Sequence, residues 1–132
     1  VLEIGAGSGY GAAVLQGLAE VVVTVERHPG LAETAAANLD AGGVTDVIVV
    51  EGDGSLGWPE LAPYDAIVVT AAGPRIPPSL VAQLADGGRL VMPVGAGGGA
   101  QQLVRVRRRG VELDEEPLGP VAFVPLIGAE GW

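Results

Sequence analysis

The 132-residue chain has no cysteine and no lysine, and only one histidine, one methionine and one phenylalanine. Without a thiol it forms no disulfide, builds no thiolate zinc site and offers no cysteine nucleophile. Its seven cations are all arginine and face sixteen carboxylates, for a net charge of −9. That balance argues against a nucleic-acid surface, which needs clustered cations to neutralise phosphates. No apolar run approaches the ~20 residues of a membrane span, because Gly, Pro or charge interrupts each one. Neither a membrane nor a nucleic-acid partner is therefore expected. No basic segment followed by an apolar one marks a secretory signal, so the cytoplasm is the default compartment. The chain opens directly in a strand-like segment without a Met, which leads us to expect a further N-terminal piece.

What remains is rich in small and apolar residues, 48% of the chain, enough for one domain with its own core. Val1–Ile4 reads as a short strand ending in a glycine-rich turn, and Tyr10–Leu18 as a helix. Val21–Val25 is a β-branched run of the kind covered on both faces of a sheet. Pro29 opens a second helix running to about Leu39, stopped by Gly42-Gly43. Val47–Val50 and Ala66–Val69 are further strands. Pro77-Pro78 opens a helix ending at Asp86-Gly87-Gly88, and Arg89–Val94 is a fifth strand. Gly95–Gly99 reads as a flexible loop, Gln101–Arg109 as a strand and Val121–Leu126 as a closing apolar run. Strands alternating with helices predict an α/β, doubly wound, Rossmann-like sheet, parallel through its fifth strand. The last third has no room for helices between its strands, so antiparallel pairing at one sheet edge is expected.

In such a sheet the ligand lies beyond the carboxyl ends of the strands, at the switch point beside the first one. There the sequence runs Glu3-Ile4-Gly5-Ala6-Gly7-Ser8-Gly9-Tyr10. Glycines let backbone approach a ligand closely, and the helix that follows offers free N–H groups. Dinucleotide folds show Gly-x-Gly-x-x-Gly, whereas here Tyr10 takes the sixth place and a glycine falls one residue earlier. Glu26, about twenty residues on, can accept both hydroxyls of a ribose in either cofactor class. Asp53, in Gly52-Asp53-Gly54, ends the third strand. Taken singly, the glycines also fit a ligand-free tight turn, Glu26 a helix-start carboxylate and Asp53 a turn residue.

The pattern Glu-x-Gly-x-Gly-x-Gly resembles the first motif of class I S-adenosylmethionine-dependent methyltransferases. In that class the loop Gly5, Ala6, Gly7, Ser8, Gly9 carries the amino-acid end of the cofactor. The residue matching Glu3 orders the loop or reaches the cofactor ammonium indirectly, and one matching Asp53 takes the adenine amino group. The resemblance extends Glu26 to Arg27, and Asp53 to Gly54, as cofactor neighbours. Gly52–Pro59, with Trp58, Ala62–Ile67, Thr70-Ala71-Ala72, Gly87–Gly95 and Phe123-Val124-Pro125-Leu126 look like the protein-L-isoaspartate O-methyltransferase family. That likeness implies methyl transfer from S-adenosyl-L-methionine to the free α-carboxylate of L-isoaspartyl residues in damaged proteins or peptides. It implies a substrate side at Thr70, Ala71, Val121 and Val124, no metal, and a monomer. The family's Ser or Thr for the substrate carboxylate lies in a segment ahead of the glycine motif, and no residue here matches it. The resemblance therefore puts no catalytic residue in this chain, and Ser8 and Ser55 do not replace it. His28, the lone histidine, is pocket wall or plain surface. The arginines 105, 107, 108 and 109 read as solvated strand and turn, and Trp58 and Trp132 as packing anchors. The alternatives are a methyltransferase with a small-molecule substrate, a nicotinamide dehydrogenase and a cofactor-binding module without turnover.

Overall fold

The computed structural model describes residues 1–95 and 99–132. Seven strands form one sheet in the order β3-β2-β1-β4-β5-β6-β7. Strands β1 (Leu2–Ile4), β2 (Val22–Glu26), β3 (Val47–Glu51), β4 (Tyr64–Val69) and the start of β5 (Leu84–Gly95) pair in parallel. Strands β6 (Gln101–Arg109) and β7 (Glu112–Val121) close the sheet antiparallel. The doubly wound sheet with antiparallel closing strands is the architecture expected from the alternation of elements.

The strands form where β-branched residues run together and the helices where small residues recur. Every residue of β2 is buried, as a two-sided apolar run requires. Its side chains alternate between two cores. Val23 and Val25 join Leu2, Ile4, Ile67, Val69, Leu90 and Met92 on one face, while Val22 packs with Ala12 and Leu39 on the other. Each fully buried aliphatic side chain contributes about 1.5–3 kcal/mol. Helix α1 (Tyr10–Gln16) starts at Gly9, and helix α2 (Pro29–Ala41) has Pro29 in its first turn and buries Ala32, Ala35 and Leu39 at helical spacing.

Two expectations are corrected. The helix expected to run to Asp86 is a single turn, α3 (Pro78–Ala82). It stops because Gln83 is drawn into other bonds. Its carbonyl accepts from Tyr64 N at 2.8 Å, and its side-chain amide joins Trp58 N and Leu56 O, both at 2.8 Å. Leu84 then pairs with Tyr64, and the chain bulges around Gly87 before Arg89 pairs with Ala66. The last strand is Glu112–Val121, not the apolar run Val121–Leu126. An acidic strand holds there because its side chains meet the arginines of β6: Arg105 bonds Glu116, and Arg109 bonds Asp114 at 3.1 Å. Pro117 and Pro120 suit the outer edge, where a missing N–H is harmless and blocks further pairing. Arg108 turns inward instead and donates to Leu84 O at 2.7 Å. Of the loop expected over Gly95–Gly99, residues 96–98 lie outside the described residues.

Candidate functional site

The chain winds outward from β1 to β3 and returns to β4, so the strand order reverses between β1 and β4 and the switch point lies at their carboxyl ends. A cavity of about 430 Å³ opens there, large enough for a nucleoside-sized ligand. Gly5 and Gly7 follow β1, Glu26, Arg27 and His28 close β2, Gly54 follows β3, and Thr70 and Ala71 follow β4. Val25, Leu31 and the segment Val124–Ile127 supply its apolar walls. Among the expected residues, the fold thus gathers Gly5, Gly7, Glu26, Arg27, Gly54, Thr70, Ala71 and Val124 around one space.

The glycine loop is shaped by three left-handed residues, with φ of +96° at Gly5, +53° at Gly7 and +87° at Gly9. Gly5 needs its missing side chain as well as its φ, because a Cβ there would lie 2.3 Å from Thr70 Oγ1. Each of these three glycine amides already has an acceptor. Gly5 N donates to Val25 O at 2.8 Å, Gly7 N to Glu26 Oε2 at 3.1 Å and Gly9 N to Ala6 O at 2.8 Å. None is left to receive a phosphate oxygen, and the carboxylate under Gly7 would repel one. Glu26 is buried, and its second oxygen accepts from His28 N at 3.0 Å. Each oxygen keeps a further lone pair, a pair of acceptors suited to a vicinal diol.

Several expected residues stand outside the cavity lining. Glu3 lies beneath the loop, 1% exposed, with Oε2 accepting from Thr24 Oγ1 at 2.5 Å. Burial pushes its carboxyl above the ordinary range, Thr24 opposes this, and the nearby Glu26 adds to it. Gly11 passes so close that a Cβ would sit 2.2 Å from Glu3 Oε1. Glu3 therefore shapes the loop from below. Ala6 is buried, while the Ser8 carbonyl accepts from Asn38 Nδ2 at 2.8 Å, on the α2 side. Gly9 lets the loop seat on α2, where a Cβ would meet Ala35 O at 3.0 Å. Val121 ends β7 opposite Gln101 and does not reach the cavity. Thr70 lines it, but its hydroxyl turns back to Ile4 O and Gly5 O, 3.0 Å from each.

Asp53 has partners that sequence reasoning did not foresee. Its Oδ1 accepts from Ser55 N at 2.9 Å and Ser55 Oγ at 2.7 Å, and its Oδ2 from Ala129 N at 2.7 Å. Burial alone would raise its carboxyl. The Ser55 hydroxyl, the two backbone N–H groups and the Arg27 charge outweigh burial and hold it below the usual range. Residues 124–132 were also legible only in part. Val124 O accepts from Ala72 N at 2.7 Å, Leu126 N donates to Ala72 O at 2.8 Å, and Trp132 Nε1 donates to the same carbonyl at 3.1 Å. The Phe-Val-Pro-Leu block was the one signal that this stretch borders the cleft.

A parallel sheet with a glycine loop at its switch point, an acidic β2 terminus and antiparallel closing strands defines a Rossmann-like methyltransferase domain. A solved protein-L-isoaspartate O-methyltransferase shares it with a TM-score of 0.91 and 34% identity, over 98% of this chain and 42% of that one. The chain belongs to the protein-L-isoaspartate(D-aspartate) O-methyltransferase family, whose model matches residues 1–131. A protein-L-isoaspartate O-methyltransferase of Rhodopseudomonas palustris is 62% identical over the whole of this chain, which spans 61% of that protein. A Plasmodium falciparum chain solved in complex with S-adenosyl-L-homocysteine, 24% identical, shares the fold with a TM-score of 0.80, over 96% of this chain and 64% of that one.

Proposed function

We propose that the chain is the S-adenosyl-L-methionine-binding domain of a methyltransferase that acts on the free carboxylate of L-isoaspartyl residues in damaged proteins or peptides. The observation that carries the cofactor assignment is the state of the loop. Its glycine amides are all engaged and Glu26 stands under it, which suits a ligand with a ribose and no pyrophosphate. A dinucleotide needs those amides for its phosphates. Glu26 would accept the ribose hydroxyls, the backbone of Gly5–Gly7 would lie along the amino-acid end, and Val25, Leu31, Leu126 and Ile127 would enclose the apolar parts. The cofactor supplies a methyl group already activated on a sulfonium. A carboxylate is already a nucleophile, so these residues need only bind, orient and exclude water. Thr70, Ala71 and Val124, on the β4 side, would border the substrate.

Family membership supports the isoaspartyl substrate. The acidic surface supports a protein without a nucleic-acid partner. No helix among the described residues is long and apolar enough to cross a membrane. A cytoplasmic monomer completes the reading.

Calorimetry with S-adenosyl-L-homocysteine and with NAD tests the cofactor. Binding of the first alone is expected, and binding of NAD alone would overturn the assignment. Transfer of a labelled methyl group to an isoaspartyl peptide, and not to its aspartyl isomer, tests the activity. Cofactor binding with no such transfer would remove the activity from this chain.

A further inference from the structure

We infer that Asp86 is a modification site: the Asp86–Gly87 linkage rearranges through a cyclic imide to an isoaspartyl linkage, and the altered chain presents its new carboxylate to a second molecule with the activity proposed above. The inference rests on that reading for the reaction, to which it adds one protein substrate, and on the geometry of the chain for the site.

Of the six aspartates and one asparagine, only Asp53 and Asp86 precede a glycine. Glycine has no Cβ to shield its amide nitrogen, and its backbone turns freely. These are therefore the two places where that nitrogen most readily reaches the carboxyl behind it. The structure separates them. The Asp53 carboxylate is held by Ser55 N, Ser55 Oγ and Ala129 N. Gly54 is buried in a tight turn, where a Cβ would run into Ile4. Neither group is free to turn toward the other. Asp86 and Gly87 are both exposed, in the bulge where residues 85–88 have no register partner on β4 or β6 among the described residues. Gly87 sits at φ +77°, with no atom within 4 Å of the place a Cβ would take. A single bond, from Gly110 N at 2.6 Å, holds the Asp86 carboxylate. In the rearrangement the Gly87 nitrogen bonds to the Asp86 side-chain carboxyl carbon. The hydroxyl of the protonated carboxyl leaves as water with the amide proton. Water then adds at the Asp86 main-chain carbonyl, that C–N bond breaks, and the nitrogen regains its proton. The main chain now runs through Cβ, and the α-carboxylate is free. Leu84 pairs with the first residue of β4, whereas the cavity lies beyond the last. The six residues of β4, about 17 Å of strand, separate the two ends. The new carboxylate therefore lies at the opposite end of the sheet from its own cavity, and only another molecule reaches it.

The test is to age the chain by warm incubation at neutral pH and to cut it with trypsin, which places Asp86 in the peptide Ile76–Arg89 and Asp53 in His28–Arg75. Ageing should give a second form of Ile76–Arg89, unchanged in mass, that a protease specific for Asp no longer cuts at residue 86. Asp53 should stay unaltered. Aged and fresh chains then receive methyl-labelled S-adenosyl-L-methionine and the protein-L-isoaspartate O-methyltransferase of Rhodopseudomonas palustris. Label should enter the aged chain alone, in Ile76–Arg89. Asp86→Glu keeps the charge, but its longer arm must close a larger, less favoured ring, so the second form and the label should both be lost. Asp86→Asn, whose amide gives up ammonia more readily than the acid gives up water, should accumulate the isoaspartyl form faster. The inference is overturned if Asp86 stays unaltered or Asp53 converts first. It is equally overturned if the intact aged chain takes no label while the same enzyme labels the free isoaspartyl form of Ile76–Arg89. Because the added enzyme supplies the methyl transfer, failure of this chain to methylate a free isoaspartyl peptide would overturn the activity proposed for it and not the site.

Discussion

Gly5→Ala separates two costs that the structure assigns to one position. The first is backbone. Gly5 sits at φ +96°, and a left-handed conformation costs an L-residue about 1–2 kcal/mol. The second is space. The new methyl carbon would lie 2.3 Å from Thr70 Oγ1, while the next Thr70 atom, Cβ, is 3.7 Å away. The hydroxyl must swing aside and give up its contacts with Ile4 O and Gly5 O, worth about 1 kcal/mol. The single substitution should therefore destabilise the fold by about 2–3 kcal/mol. Thr70→Ala alone should cost about 1 kcal/mol. The double variant has no overlap left to relieve, so it should also cost about 2–3 kcal/mol, with a coupling of about 1 kcal/mol between the sites. Urea unfolding followed by the fluorescence of Trp58 and Trp132 measures all three. A Gly5→Ala cost below about 0.5 kcal/mol, or costs that simply add, would refute the reasoning.

Glu26→Gln puts an amide NH₂ against either Gly7 N or His28 N, both donors, and should weaken S-adenosyl-L-homocysteine binding by about tenfold or more, read by calorimetry. Burial raises the Glu3 carboxyl above its ordinary 4.5, so the folded chain binds more protons than the unfolded one between that pH and the raised value. Stability due to Glu3 therefore falls as pH climbs through that window and stays lower above it. Glu3→Gln can still accept from Thr24, so it should match or exceed the parent's melting temperature at neutral pH. A parent–variant difference that stays constant from about pH 4 to 7 would reject this account. Arg105→Ala breaks an exposed cross-strand pair with Glu116 and should change unfolding free energy by no more than about 1 kcal/mol.

The parts of the fold that local pattern specifies are legible in the sequence. Val22–Glu26 is buried on both faces and reads as such from its β-branched run. Pro29 and Gly42 punctuate α2 where residue chemistry places them. The misread elements are those decided by distant partners. Nothing local ends α3 at Ala82, because the reason is Gln83 bonding to Trp58 and Leu56, about 25 residues upstream. Nothing local makes Glu112–Val121 a strand, because its partners are the arginines of β6. Hydrophobic period detects burial, and this edge strand is mostly exposed.

The same division runs through the site. Residue type at the end of a strand predicts that a side chain reaches the crevice, and for Glu26 the chain meets that expectation because its near neighbours, Gly7 and His28, hold it there by backbone N–H groups. Asp53 lies two residues beyond β3, whose Glu51 is the register partner of Glu26, and its neighbours differ. Ser55 bonds it locally, and Ala129, 76 residues along the chain, takes its second oxygen. Three donors converge on Asp53 and two on Glu26, so each acid is held by bonds within the chain and keeps an acceptor position open. The sequence shows two acids near strand ends, and the donors that hold the second include one that only the fold brings to it.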